Sequence, residues 1–171
     1  MGATMGMLVM ALVVAAAQTT PQQVQVGDWI VGESVISTYM ASSNDSGGVF
    51  GKFCAGDSCT WMIAGSTVCV AGVDSPVVIN AESGAIWSMA HCLGPIATDP
   101  NYYQSTLTDP DSIDKLVASN TQIGVAMPLG GTAFKVFRFD VKNGSSAFTA
   151  LIGRFQARRS REANSTRDTQ L

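Results

Sequence analysis

Four cysteines carry the most explicit chemistry in the sequence, and all of them lie between residues 54 and 92. Thiols of an exported protein meet an oxidising compartment, where pairs of cysteines persist as disulfides. Four cysteines allow three pairings, and the sequence alone does not choose among them. We favour Cys54–Cys59 and Cys69–Cys92, because the turn-forming segment Ala55-Gly56-Asp57-Ser58 would bring Cys54 and Cys59 together across a hairpin.

A zinc site is the alternative use of the cysteines, with His91 as a further ligand. Structural zinc sites usually contain pairs of cysteines with two to four residues between them, and only Cys54 and Cys59 have that spacing. His91 and Cys92 are neighbours in sequence, so on a strand they would point to opposite faces. We therefore expect two disulfides, and no metal or cofactor.

Aromatic residues near the cysteines are the candidate ligand-binding side chains. Trp61 and Trp87 fall on predicted strands beside cysteines, which favours packing in the core around the disulfides. Tyr102 and Tyr103 fall in a segment rich in Pro, Asp and Asn, which predicts an exposed loop. We take Tyr102, Tyr103, Trp87 and His91 as candidate ligand contacts.

The residues needed for catalysis are sparse. The single histidine, His91, would have to serve any Ser-His-Asp or Cys-His arrangement. The sequence contains no Gly-x-Ser-x-Gly elbow. The acids Asp109, Asp111 and Asp114 lack the mid-loop Gly and closing Glu of a calcium loop. We predict no catalytic residue. A small hydrolase or a carbohydrate-binding module using residues 100–108 and His91 is the alternative function, and a secreted enzyme inhibitor is a third.

Composition and length indicate one folded domain. The chain has 171 residues, of which 46% are hydrophobic and 13% are charged, and this excludes an intrinsically disordered protein. The formal net charge of −3 provides no strong basic field for a phosphate backbone, so we expect no nucleic acid partner.

The N-terminus has the pattern of a signal peptide. Met5–Ala17 is apolar apart from Gly6, and small residues precede Gln18, which predicts cleavage after Ala17. The run is too short for a membrane span, which needs about 20 apolar residues. No Lys or Arg precedes it, so a buried N-terminal helix is the alternative. Residues 1–17 are therefore predicted to be removed, and the protein to be periplasmic or secreted.

The body of the chain predicts an antiparallel β-sandwich or barrel. Short β-rich runs recur about every 8–12 residues, with turn residues between them. Asn143-Gly144 predicts a hairpin into the last strand. The predicted strands are Gly27–Val31, Ser34–Ala41, Val49–Cys54, Thr60–Ala64, Thr67–Ala71, Val77–Asn80, Ala85–Cys92, Ile123–Met127, Ala133–Val141 and Ala147–Phe155.

One short helix and a tail complete the prediction. Asp109 can cap a helix that begins at Pro110, places Ile113, Leu116 and Val117 on one face, and ends near Asn120. From Gln156 to Leu171 the chain is rich in Arg and poor in large apolar residues, which predicts a disordered basic tail after a domain of residues 18–155.

Two parts of the sequence resemble a known family. Phe134–Val141 followed by Ser146–Phe155, together with Gly27-Asp28-Trp29 shortly after the predicted signal peptide, is similar to the invasion-associated locus B proteins. The resemblance covers about a third of the chain. It implies a small exported bacterial β-protein with no established enzymatic activity. The partner that we expect is an envelope or host-surface protein. The family's late cysteine pair is not present here, and the resemblance assigns no functional residue.

Overall fold

A computed structural model describes residues 23–130 and 132–168 of the chain, so the predicted signal peptide lies outside it. The described part contains ten strands and two helices. Their bounds are β1 Val24–Val26, β2 Trp29–Glu33, β3 Thr38–Ser43, β4 Val49–Ala55, β5 Ser58–Gly65, β6 Asp74–Ala81, β7 Gly84–Ile96, β8 Asp99–Leu107, α1 Pro110–Ser119, β9 Gln122–Gly130, β10 Ala133–Asp140 and α2 Gly144–Asp168.

The strands form one antiparallel sheet in the order β1-β2-β3-β4-β5-β8-β7-β6-β9-β10. The sheet curls so that its two ends approach each other. Ser42 Oγ on β3 donates to the carbonyl oxygen of Asp140 on β10 at 2.8 Å. Trp29 Nε1 on β2 donates to the carbonyl oxygen of Val141 at 3.2 Å. The result is a sandwich-like arrangement, which confirms the predicted mostly β fold.

The core fills the space inside the curled sheet. Alternate residues of each strand point inward, as strand geometry requires. Trp61 stacks on Phe50 with ring centroids 4.7 Å apart, and Phe50 contacts Phe139 at 5.5 Å. These side chains are fully buried, as is Trp29. The prediction that Trp61 packs in the core is confirmed.

Both favoured disulfides are present. Cys54 and Cys59 are directly opposite each other on β4 and β5, on either side of the predicted turn. Cys69 and Cys92 join the segment before β6 to β7. The four sulfurs are therefore not available as the thiolate ligands on which the zinc alternative depended.

Helix α1 confirms its prediction in detail. The side chain of Asp109 accepts a hydrogen bond from the Ser112 amide, Pro110 is the first helical residue, and Asn120 ends the helix. Ile113, Leu116 and Val117 are buried against the sheet and α2.

The prediction of a final strand at Ala147–Phe155 is wrong, because this segment lies within α2. Asn143-Gly144 starts that helix instead of turning a hairpin, and Asn143 accepts a hydrogen bond from the Ala147 amide at 3.0 Å. Gly144 lies so close to the Val117 carbonyl oxygen that a Cβ would collide with it. A glycine at this position therefore allows α2 to pack closely against α1. Ala147 and Leu151, four residues apart, supply the buried helical face.

The structure extends α2 through Gln156–Asp168, where composition predicted a disordered tail. The helix therefore runs across the predicted domain boundary at Phe155. Arg158 donates to the carbonyl oxygens of Ser34 and Val35, and Arg161 pairs with Glu33 at 2.7 Å. These bonds attach the second half of α2 to the end of β2 and to the β2–β3 turn. A prediction from composition misses them, because it treats the arginine side chains as solvated.

Further assignments differ from prediction. Ser34–Ser37, the start of the predicted strand Ser34–Ala41, forms the β2–β3 turn. Thr67–Ala71 is irregular, and it is held by the Cys69–Cys92 disulfide and by the Cys92 amide, which donates to Val73. Residues 100–108 were predicted as a loop, but all of them except Thr108 lie in β8, in the middle of the sheet. Pro100 is tolerated there because it lies at the beginning of the strand.

Candidate functional site: the outer face of the sheet

The candidate site lies on the outer face of the sheet, which is the face that points away from the core. On β4, Phe50 and Lys52 point inward, so Phe53 points outward. On β5, Trp61 and Ile63 point inward, so Met62 points outward. An antiparallel sheet usually presents polar residues to solvent on such a face. Large apolar residues such as Phe53 and Met62 depart from this pattern, and they make the face a candidate site.

A groove of about 500 Å³ crosses this outer face over β4, β5 and β8. Its floor is apolar, its other lining groups are hydroxyls and an amide, and none of its lining residues is charged. The lining consists of Ser34, Ile36, Ser37, Val49, Phe53, Ala55, Ser58, Thr60, Met62, Ala64, Leu93, Gln104 and Thr106.

The β2–β3 turn forms one wall of the groove. Ser34 accepts hydrogen bonds from the amides of Ile36 and Ser37, which fixes the turn. Arg158 of α2 holds the same turn through the carbonyl oxygens of Ser34 and Val35, at 3.0 and 2.7 Å. Helix α2 therefore positions a wall of the groove, although the helix itself does not line it.

Two of the predicted ligand contacts, Trp87 and His91, lie on the outer face of β7. Trp87 is 74% exposed, so the expectation that it packs in the core is wrong. It points outward because its neighbours in the strand, Ile86 and Ser88, have the opposite orientation. His91 lies about 13 Å further along the strand and contacts Asp74, with Nδ1 2.7 Å from Oδ1.

The other two predicted contacts, Tyr102 and Tyr103, lie on β8 and not in an exposed loop. Both are partly buried. The Tyr102 hydroxyl donates to the carbonyl oxygen of Gly47. Burial, and secondarily the negative charge of Asp99, raise the pKa of Tyr102. Tyr103 pairs with Pro95, eight residues beyond Trp87, so these tyrosines lie roughly 26 Å from it. The four residues do not form one site.

A buried ion pair is a feature that the sequence analysis missed. Lys52 Nζ lies 2.8 and 2.7 Å from the two carboxylate oxygens of Asp114, which was interpreted only as a helix-start acid. Trp61 Nε1 donates to the same carboxylate at 2.7 Å, and Lys52 Nζ lies 4.5 Å from the Phe148 ring centroid. A cavity of about 390 Å³ opens beside this pair between α1 and α2. The sequence did contain a signal for this pair. Lys52 occupies an inward position on β4, between the apolar inward residues Phe50 and Cys54.

The described residues contain neither a membrane-spanning helix nor a cluster of metal-binding side chains. Neither described helix is long and apolar enough to cross a membrane. Over the same ranges, no group of three or more His, Cys, Asp or Glu side chains could hold a metal ion.

Comparison with known proteins gives a likeness of fold. No family model matches the chain, and no curated protein matches it. Among solved structures, the fold is similar to that of invasion-associated protein B from Bartonella henselae, with a TM-score of 0.57 and 11% sequence identity. The match covers 79% of this chain and 99% of that one. The architecture is shared, and at this identity the likeness supports the predicted resemblance at the level of fold.

Proposed function

We propose that this chain is an exported bacterial protein that acts by binding and not by catalysis, and that the groove over β4, β5 and β8 is its binding site. The observation that carries the proposal is a groove of about 500 Å³ with an apolar floor and no charged lining residue, on the face of a sheet that normally meets water.

Three further findings support a location outside the cytoplasm. Disulfides such as Cys54–Cys59 and Cys69–Cys92 persist in oxidising compartments. The structurally similar Bartonella protein is described as invasion-associated, and we extend from it a role at the bacterial envelope or surface. The apolar run at Met5–Ala17 agrees with export.

The lining selects the chemistry of the ligand. Phe53, Met62 and Leu93 offer apolar area, and Thr60 and Gln104 offer hydrogen bonds. A charged group in the groove would lose its hydration without gaining a counter-charge, and its binding free energy would therefore be less favourable. An uncharged ligand with an apolar body, such as an acyl chain or an aromatic group, is the class that fits.

Binding of N-phenyl-1-naphthylamine, a neutral probe whose fluorescence rises in apolar surroundings, tests the proposal. We expect the wild-type protein to bind the probe and Met62→Asp to abolish that binding, because the carboxylate lies on the groove floor. Met89→Asp is the matched control, since Met89 is on the outer face of β7 and outside the groove. Circular dichroism checks that both variants fold. Absence of binding to the wild type, or equal binding by Met62→Asp, would overturn the proposal.

A further inference from the structure

A second apolar surface crosses the outer face at the other side of the sheet. The strand registers place Trp87 opposite Val78, Val78 opposite Ala126, and Ala126 opposite Val136. These four residues form one row across β7, β6, β9 and β10. The row is exposed at both ends, because Trp87 is 74% and Val136 46% accessible.

A neighbouring row extends this surface. Met89 pairs with Pro76, and Phe134 pairs with Pro128. Phe134 is 63% exposed, and Met89 is also exposed. The two rows therefore make a continuous apolar surface, and its outward residues alternate with buried ones on all four strands.

The surface has a shape that complements itself. Ala126 is small and lies between the larger side chains of Trp87 and Val136, which are separated by three strand spacings, or about 14 Å. The bulky Trp87 thus lies two strands away from the small Ala126, with Val78 between them, and we call the space over the Ala126 side chain the trough. In a two-fold interface the same surface of each copy meets itself. The surface must therefore carry both a protruding side chain and the space that receives it.

We infer that this surface joins two copies of the chain, stacked face to face about a two-fold axis along β6. That axis places β7 of each copy over β9 of the other, because these strands flank β6. Trp87 of one copy then lies over Ala126 of the other, and the two Val78 side chains meet at the axis. Packed sheets lie about 10 Å apart, so a large side chain needs a small one opposite.

The exposed area agrees with this partner. Trp87, Phe134, Met89 and Val136 together expose roughly 500 Å² of apolar surface, since a large aromatic side chain buries about 150–250 Å² when covered. A standard interface buries about 800 Å² on each partner, of which a little over half is apolar, or about 450 Å². Tryptophan is also among the residues most enriched in hot spots, the few interface residues that supply most of the binding energy.

Sedimentation equilibrium of the exported protein tests the inference. We expect a monomer–dimer equilibrium, and we expect Ala126→Arg to weaken it at least about tenfold by filling the trough with a charged side chain. Trp87→Ser, at an exposed position that the fold does not need, should weaken it similarly. Val35→Ser is the control, because Val35 is an almost fully exposed apolar residue on the β2–β3 turn.

Tryptophan fluorescence gives a second readout. The chain has three tryptophans, and Trp29 and Trp61 are fully buried, so acrylamide reports mainly on Trp87. Its quenching should fall as protein concentration rises. A protein that stays monomeric at high concentration would overturn the inference. A dimer unaffected by both Ala126→Arg and Trp87→Ser would overturn it as well. Neither result bears on the probe-binding groove, because none of the residues that line it belongs to this surface.

Discussion

Lys52 is a charged side chain inside an otherwise apolar core, and its contacts explain how it is tolerated. The side chains of Lys52 and Asp114 are 7% and 28% exposed. Both carboxylate oxygens of Asp114 accept from Lys52, and Trp61 supplies a third hydrogen bond. A buried ion pair needs this kind of complete bonding, because desolvating two charges costs several kcal/mol. The pair links β4 to α1 and so fixes the helix against the sheet.

Asp114→Asn should destabilise the fold because it leaves the Lys52 ammonium buried without a counter-charge. Removing one member of a buried pair costs about 3–5 kcal/mol, and the partial exposure of Asp114 lowers our expectation to about 2–3 kcal/mol. Urea unfolding with the disulfides intact measures this loss. The double variant Lys52→Met/Asp114→Leu should recover most of it, since no charge is then left buried. An unchanged midpoint for Asp114→Asn would contradict the role given to the pair.

At the scale of elements, α2 is held to the sheet by two different means. Its first half buries Ala147 and Leu151, whereas its second half is held through arginine side chains. Arg158 is the central contact, because its guanidinium donates to two carbonyl oxygens of one turn and its side chain is only 17% exposed. A planar fork can satisfy two acceptors at once in this way.

Arg158→Ala should release both the C-terminal half of α2 and the β2–β3 turn. We expect a loss of about 1–2 kcal/mol, in the range for hydrogen bonds from a charged donor, and faster hydrogen exchange at residues 34–37 and 156–168. Arg159→Ala is the matched control. Arg159 is an exposed neighbour whose partner Asp57 is also exposed, so its removal should have little effect. Unchanged exchange at both segments in Arg158→Ala would show that the turn is fixed without the helix.

The elements also show which parts of the fold the sequence could predict. The strand Ala133–Val141 was predictable from the alternation of its two faces, and Val49–Cys54 because it is a β-rich run between turn residues. Helix α1 was predictable because its capping residues are explicit. Ala147–Phe155 was misassigned because its apolar residues fit helical spacing as well as a strand run. The deciding contacts, Gly144 with Val117 and Arg158 with the β2–β3 turn, join distant parts of the chain.

The candidate site was less predictable than the fold. Trp87 was expected in the core because tryptophan usually buries, and only the strand phase shows that it points outward. The groove joins side chains from β4, β5, β7, β8 and the β2–β3 turn. Neighbouring strands such as β5 and β8 are far apart in sequence, so a pairing order is needed before Met62 and Thr106 can be placed together.

At the scale of the whole molecule, the two disulfides reinforce different regions of one sheet. Cys54–Cys59 closes a hairpin within the sheet, whereas Cys69–Cys92 anchors an irregular segment to β7. Chain entropy predicts about 2 kcal/mol for the shorter loop and about 3 kcal/mol for the longer one. A fold stabilised in this way gains most in a compartment that keeps its thiols oxidised. The location of the protein and the stability of its sheet are therefore linked.

Expression of the full chain in a Gram-negative host tests this link. We expect the protein recovered from the periplasm or medium to have the intact mass of Gln18–Leu171, with no thiol that alkylation can modify under non-reducing conditions. The variant Ala15→Asp/Ala17→Asp should keep the longer mass with its four cysteines still oxidised, because charged residues at these positions block cleavage but leave the apolar run that directs export. A wild-type chain that keeps residues 1–17 and four free thiols would contradict both export and the oxidised state on which the stability argument rests.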